Sequence, residues 1–369
     1  MTVRSQRYII SPTRACPAHL RVGGGRPPPT VDLDMDNVAR AAWGEILQTA
    51  PASNSLFAFL EDLLEPGSDL IWRDGGPGRG TEMRRSFSGL FGRFFARAYL
   101  EVHHDFTWFV AIDGDNFPLS PHWRVKRATR AEMPDWICAK PGQLAIAEAK
   151  GSHQKGNVTG ATRPGPIRTA EGQIRGVRVQ KRTRTMRGLR WHNRSVKGWA
   201  VMSRWGVAAP SRAPFLYALD PKTEGEDLTE DERDDLVQAV ARTYVEQTSL
   251  GLGLLKSIDG ETLLPAPRRT VRVDGDQEKR LFAGAVLTPF GLLNLDVGEA
   301  IALSSALPDP DMVRFIGIEQ GLFEDYLQGR QLTPRPRERI GNRAIAGADG
   351  LVVVPVSDVS DAGIQADES

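Results

Sequence analysis

The chain has 369 residues, 40% of them hydrophobic and 25% charged, with a formal net charge of +1; this length predicts one large domain or two. Its two cysteines, Cys16 and Cys138, exclude a disulfide framework and a four-cysteine zinc site. No run of about 18 apolar residues and no apolar leader core is present, so the expectation is a reduced, cytoplasmic protein with no membrane partner.

The first thirty residues, with Gly23-Gly24-Gly25 and Pro27-Pro28-Pro29, read as irregular or as an extended arm. Helical patterns follow at 37–47 and 55–64, so 1–80 is expected to be an N-terminal arm with helices. The glycine-rich stretch 75–80 lacks the lysine and hydroxyl residue of a phosphate-binding P-loop. From 81 to 102, Phe87, Leu90, Phe91, Phe94, Phe95, Ala98 and Tyr99 recur at helical spacing. Residues 106–112 are aromatic and β-branched, the composition of a strand. A polar, proline-containing connection then leads to two short apolar stretches.

The first stretch is Met133-Pro134-Asp135-Trp136-Ile137-Cys138, and the second runs from Leu144 to Lys150. Between them Lys140-Pro141-Gly142-Gln143 has the residue choice of a type II turn. With Lys140 facing Gln143, counting five residues outward along each strand sets Asp135 opposite Glu148. Side chains opposed in this way have Cβ atoms about 4.5–5.5 Å apart, close enough for two carboxylates to share one divalent cation. Lys150 falls two residues beyond Glu148 and hence on the same face. Burying two acids and a lysine is costly unless something pairs them.

A basic block starts directly after Lys150. Twelve Lys or Arg and a single acid, Glu171, occupy 151–200, so that window carries +11 and the remainder of the chain −10. A polyanion lying across the site is the partner such a block suggests. Residues 167–186 read as a helix with Ile174 and Val177 inward and arginines outward, although Gly172 and Gly176 weaken it. Arg168, Arg175, Arg178, Lys181 and Arg182 are the candidate phosphate contacts, and Trp191 is one candidate for base stacking. Strands are expected at 196–205 and 215–219. A helix over 229–250 is introduced by the capping box Thr229-x-x-Glu232. Beyond 257 the chain turns strand-rich, with candidates at 270–273, 283–287, 315–318 and 351–356 and a short helix near 323–327. This predicts a C-terminal domain over 256–356. The stretch 357–369 has four acids and no base and is expected to be a disordered tail.

The order helix, strand, Pro-Asp strand, Glu-x-Lys strand, helix, strand resembles the PD-(D/E)xK nuclease superfamily, over roughly 81–220. The resemblance implies an α+β fold: a restriction-endonuclease-like core over 81–255, with a central mixed sheet flanked by helices. It implies Mg²⁺ (with Mn²⁺ able to substitute) held by Asp135, Glu148 and the carbonyl of Ala149, while Lys150 orients or activates the attacking water. It also implies DNA as substrate, RNA being the alternative, and a role in restriction or antiviral genome defence as a homo-oligomer or as a subunit of a larger complex. Gln173 falls where some relatives carry a glutamine on the helix after the hairpin. The family's additional helical acid is missing: Arg93 stands near its place, and Glu82 and Glu101 are the remaining candidates. That departure supports a rival expectation, a non-catalytic nucleic-acid-binding or scaffold subunit retaining the same fold.

Overall fold

The computed structural model describes residues 3–49, 64–65, 67, 69–73, 80–153, 163–186, 188–206, 213–221, 227–257, 263–266, 268–274, 279–289, 291–340 and 344–365. It is a mixed α+β protein whose contacts divide the chain into two units. One comprises Thr2–Val38 with Leu60–Val240, the other Ala39–Phe59 with Ala241–Ser369 and Met1. The helix expected at 55–64 lies outside the described residues, apart from Leu64. None of the described helices is long and apolar enough to cross a membrane.

In chain order the elements are β1 (Val3–Ser11), β2 (Thr30–Asp34), α1 (Met35–Thr49), α2 (Thr81–His104), β3 (Trp108–Ala111), β4 (Asn116–Pro118), β5 (Trp123–Arg127), β6 (Trp136–Lys140) and β7 (Gln143–Ser152). Then come α3 (Gly165–Arg175), β8 (Val177–Thr185), β9 (Gly188–Arg194), β10 (Lys197–Arg204), β11 (Phe215–Leu219) and α4 (Glu230–Gly251). Short strands β12 (Leu255–Ser257) and β13 (Leu263–Pro265) precede β14 (Arg268–Asp274), β15 (Lys279–Thr288), β16 (Gly291–Leu293) and α5 (Val297–Ala306). The chain continues as β17 (Arg314–Glu319), α6 (Gln320–Leu327), β18 (Glu338–Ile340), β19 (Ala344–Ala346), β20 (Leu351–Pro355) and β21 (Val359–Gln365).

The first unit is built on a seven-stranded sheet of order β2-β1-β11-β10-β7-β6-β3. Strands β3, β6 and β7 form an antiparallel run, and β10 lies parallel to β7. A parallel neighbour needs a crossover, and α3 provides its helical part. Helix α2 buries Phe91, Phe94, Phe95, Ala98 and Tyr99 as its spacing predicted. It approaches β7 with no room for side chains: a Cβ on Gly92 would sit 2.5 Å from the Gly151 amide nitrogen, and one on Gly151 would sit 1.4 Å from the Ser88 carbonyl oxygen. The second unit holds the sheet β20-β17-β15-β14-β21, with β16 paired to β15. Its core includes Val271, Phe282, Phe315, Val352 and Val354. Buried Asp349 there accepts hydrogen bonds from Arg40 Nη1 at 2.8 Å and Tyr244 Oη at 2.6 Å, which offsets the cost of its burial.

Three expectations are corrected. The N-terminus is not an arm, because β1 lies inside the main sheet between β2 and β11. Its inward positions include Arg4 and Gln6, both buried, and these polar residues hide the strand's alternation. Residues 167–186 are not one helix. α3 ends at Gly176, where a Cβ would meet Thr129 Oγ1 at 2.7 Å, and the chain continues as β8 with Val177 and Val179 buried. There β8 joins a second, four-stranded sheet of order β4-β5-β8-β9. Finally, 359–365 is not a disordered tail but a strand paired antiparallel to β14. Ladder bonds use backbone groups and are indifferent to an acidic composition.

The contact between α2 and β7 makes a direct stability test. Gly151→Ala should destabilise the chain by about 3 kcal/mol or more, because the obstructing atoms are backbone. Gly89→Ala, one residue along α2 from Ser88 and with nothing within 4 Å, should instead stabilise by up to about 1 kcal/mol. Urea midpoints of the two variants check the difference, and equal midpoints would refute the close-packing account.

Candidate active site

Local chemistry sets the hairpin. Pro141 and Gly142 form its turn, and Gly142 takes φ +71°, the left-handed value that the third position of a type II turn requires. The ladder runs from Lys140↔Gln143 to Trp136↔Ala147, and the next residues outward are Asp135 and Glu148. At that point carboxylates take over from the ladder. The Asp135 amide donates to Glu148 Oε2 at 2.8 Å, and the Ala149 amide donates to Asp135 Oδ2 at 2.7 Å. Each acid therefore satisfies a peptide N–H on the other strand, which fixes both side chains without a ligand.

Two cations complete the cluster. Lys150 Nζ donates to Glu148 Oε1, and Arg93 Nη1 to Asp135 Oδ1. Arg93 also lies over the Trp136 ring, 4.9 Å from its centroid. The side chains are graded in exposure: Glu148 is 3% accessible, Asp135 15%, Lys150 22% and Arg93 26%. Burial, and next the nearby Asp135 charge, push the Glu148 carboxyl up to about 8, against the opposing pull of Lys150 and of the Asp135 amide. A raised carboxyl in a site of mixed charge is a common mark of functional clusters.

Arg93 is the residue whose part the sequence did not reveal. It directly follows Gly92 on α2, so the close contact with β7 brings its guanidinium to Asp135. The helical acids do not take that place. Glu82 lies 11 residues before Arg93, roughly 16 Å along the helix, and pairs with Arg85 at the surface. Glu101 is buried and bonded to Arg97 Nε at 2.8 Å, about 12 Å beyond Arg93 along the helix.

A divalent cation is compatible with these donors. Two carboxylates and the Ala149 carbonyl are hard oxygen ligands suited to Mg²⁺. Each carboxylate oxygen accepts at least one of the four hydrogen bonds above. Gln173 lies on α3, the helix over β7 and β10. It is buried, with Nε2 donating to the Met133 carbonyl at 3.4 Å, while its buried Oε1 has no hydrogen-bond partner among the described residues. The solvated surface position that composition favours for a helical glutamine is thus not where it sits. Among the described residues no group of three or more His, Cys, Asp or Glu side chains is arranged to hold a metal.

The basic residues separate. Arg168 and Arg175 are exposed on α3, and Arg175 pairs with Glu171 at 2.8 Å. Lys181 turns inward, 3.5 Å from Glu232, which also binds Arg194 at 2.7 Å. Arg178 and Arg182 lie on the outward face of β8 and are exposed. A cavity of about 480 Å³ runs between Ile146 of β7, Ile174 and Arg175 of α3, Arg178 of β8 and Asn193 of β9. Neither Asp135 nor Glu148 lines it. Trp199 and Trp205 are core residues.

Because the Glu148 carboxyl is raised from its ordinary 4.5 to about 8, the folded state holds a proton that the unfolded state releases. The stabilising contribution of this residue is full below about pH 4.5 and is lost as the pH rises through about 8. Glu148→Gln, which mimics the protonated form, should flatten the fall in stability between those values. Urea unfolding at a series of pH values measures it, and an unchanged slope in the variant would contradict the assignment.

No family model, no curated protein and no solved structure matches the chain.

Proposed function

We propose that this chain is a metal-dependent nuclease that hydrolyses phosphodiester bonds of DNA, with Asp135, Glu148 and Lys150 at its centre. The observation that carries the reading is the reciprocal Asp135–Glu148 pair, anchored on peptide N–H groups with an ammonium on Glu148. The strand order β3-β6-β7-β10, antiparallel up to β7 and parallel thereafter, supports the likeness to the PD-(D/E)xK core. The setting taken from that likeness is restriction or genome defence, as a homo-oligomer or within a larger complex.

Held by Asp135, Glu148 and the Ala149 carbonyl, Mg²⁺ or Mn²⁺ would neutralise phosphate charge and acidify a water. The remaining work belongs to the side chains. The Lys150 ammonium, tethered by Glu148, orients the attacking water and stabilises negative charge on the phosphate. The Arg93 guanidinium, stacked on Trp136 and partly exposed, is placed for a non-bridging phosphate oxygen. Burial of Glu148 strengthens each of these electrostatic interactions.

A second reading is favoured by one observation: Arg93 neutralises Asp135 where related nucleases place an acid. On that reading the chain is a non-catalytic nucleic-acid-binding or scaffold subunit. Cleavage assays on plasmid, single-stranded and RNA substrates with Mg²⁺ or Mn²⁺ separate the two. Lys150→Ala should lower the cleavage rate on the order of a hundredfold or more while leaving the fold intact. A wild-type chain that binds these substrates and cuts none of them would establish the scaffold reading.

Cation uptake can be followed without turnover. A divalent ion favours the ionised carboxylate, so Mn²⁺ added near pH 7 in weak buffer should release a proton from wild type and not from Glu148→Gln. A silent wild-type titration would count against the metal site.

A further inference from the structure

The four-stranded sheet β4-β5-β8-β9 has two unlike faces. Trp123, Val125, Val177 and Val179 are buried on one, and Asp235 of α4 accepts from Trp123 Nε1 there at 2.7 Å. The register assigns the other face. Arg124 and Lys126 of β5 stand beside Gln180 and Arg178 of β8, and Arg182 of β8 stands opposite Trp191 of β9. Arg184 is two residues further along β8 and shares that face. This side of the sheet therefore carries five cations and no acidic side chain. Among the described residues none of the five makes an ion pair. Lys126, Arg178, Arg182 and Arg184 are exposed.

The face is also ordered. Arg124 Nε donates to Gln180 Oε1 at 2.9 Å, and Gln180 Nε2 donates to Asn193 Oδ1 at 2.8 Å, a row crossing three strands. The half-buried Trp191 ring has Arg124 over it at 4.0 Å and Arg182 at 6.0 Å. Uncompensated arginines call for an anion. An aromatic ring set among them, beside amide groups that can bond a base edge, calls for an anion with planar, hydrogen-bonding bases. An acidic peptide would use the charges and leave the ring and amides without work.

We propose that this outward face is a binding surface for single-stranded nucleic acid, with phosphates on Lys126, Arg178, Arg182 and Arg184 and a base stacked at Trp191. It deepens the nuclease reading and rests on its assignment of nucleic acid as partner, but not on cleavage. Duplex contacts would need phosphates alone, whereas a stacking platform serves unpaired bases.

Fluorescence anisotropy of a labelled single-stranded oligothymidylate, with the full chain in EDTA to prevent turnover, tests it. The Lys126→Ala/Arg182→Ala/Arg184→Ala variant should bind at least tenfold more weakly. Its log–log salt dependence should be shallower by about 2, the value for three lost phosphate contacts on a single strand. Trp191→Ala should weaken binding about tenfold, and Trp191→Phe should recover most of that loss. Arg190→Ala removes one charge from the opposite face and should weaken binding less than Arg182→Ala does. Unchanged affinity and salt slope in the triple variant would overturn the proposal. So would tighter binding of a duplex with Trp191→Ala indifferent, or competition by polyglutamate as effective as by unlabelled oligonucleotide. Binding that follows this pattern without cleavage in Mg²⁺ would remove the nuclease reading alone. Cleavage that persists while the face variants bind normally would remove this proposal alone.

Discussion

The contact of one backbone with another, α2 against β7, is the constraint on which the candidate site depends. Gly92 and Gly151 leave no space between helix and strand, so the residue after Gly92 is delivered to the end of the hairpin. Were the helix lifted by the width of a methyl group, Arg93 would lose Asp135, and the buried acidic pair would keep only one of its two cations. The aromatic face of α2 serves the same geometry. Phe91 and Phe95 pack on Trp205 with ring centroids 5.2 and 5.1 Å apart, which anchors the helix through large apolar contacts. Such a contact is unforgiving, because backbone cannot rotate away as a side chain can.

Around that constraint two carboxyl groups meet two cations. Each carboxylate accepts from a peptide N–H and from a cation, so burial leaves no charged oxygen without a donor. The balance is uneven in depth. Glu148 sits almost fully inside and has its carboxyl raised, whereas Asp135, Lys150 and Arg93 reach partly into solvent. A polyanionic phosphate arriving there meets two cations at the accessible edge and a polarised pair behind them.

Seven of the twelve bases in the block fall into two populations with different surroundings. Arg163, Arg175, Lys181 and Arg194 pair with Glu171 or Glu232 and hold α3, β8 and β9 to their surroundings. Their partner Glu232 also closes the capping box at the start of α4, where its amide donates to Thr229 Oγ1 at 3.2 Å. The second population lies on the outer face of the sheet, without acidic partners among the described residues. Within β8 the alternation separates Lys181 from Arg178, Arg182 and Arg184, since successive side chains emerge on opposite sides. A helix over the same residues would have spread the arginines around an arc and left Trp191 without its flanking pair.

What could be read from the chain alone was local. Pro141-Gly142 dictates a turn, the turn dictates the register, and the register places Asp135 opposite Glu148 with Lys150 on the same face. Every step involves neighbours along one hairpin. The apolar spacing of α2 and the capping box of α4 were legible for the same reason. The extent of α3 was only hinted at by Gly176, whose carbonyl accepts from the amides of Ala128 and Thr129, residues far away in sequence. Strand β1 was not legible, since its inward Arg4 and Gln6 are acceptable only inside the completed sheet, where Gln6 accepts from Ser203 at 2.9 Å. The strand at 359–365 takes its order from main-chain pairing with β14, which no side-chain composition records. Tertiary structure alone decided that Arg93 binds Asp135 and that the basic residues form a face. Both depend on which elements pack together, and sequence order specifies that only weakly, whereas turn chemistry and strand alternation are written directly in adjacent residues.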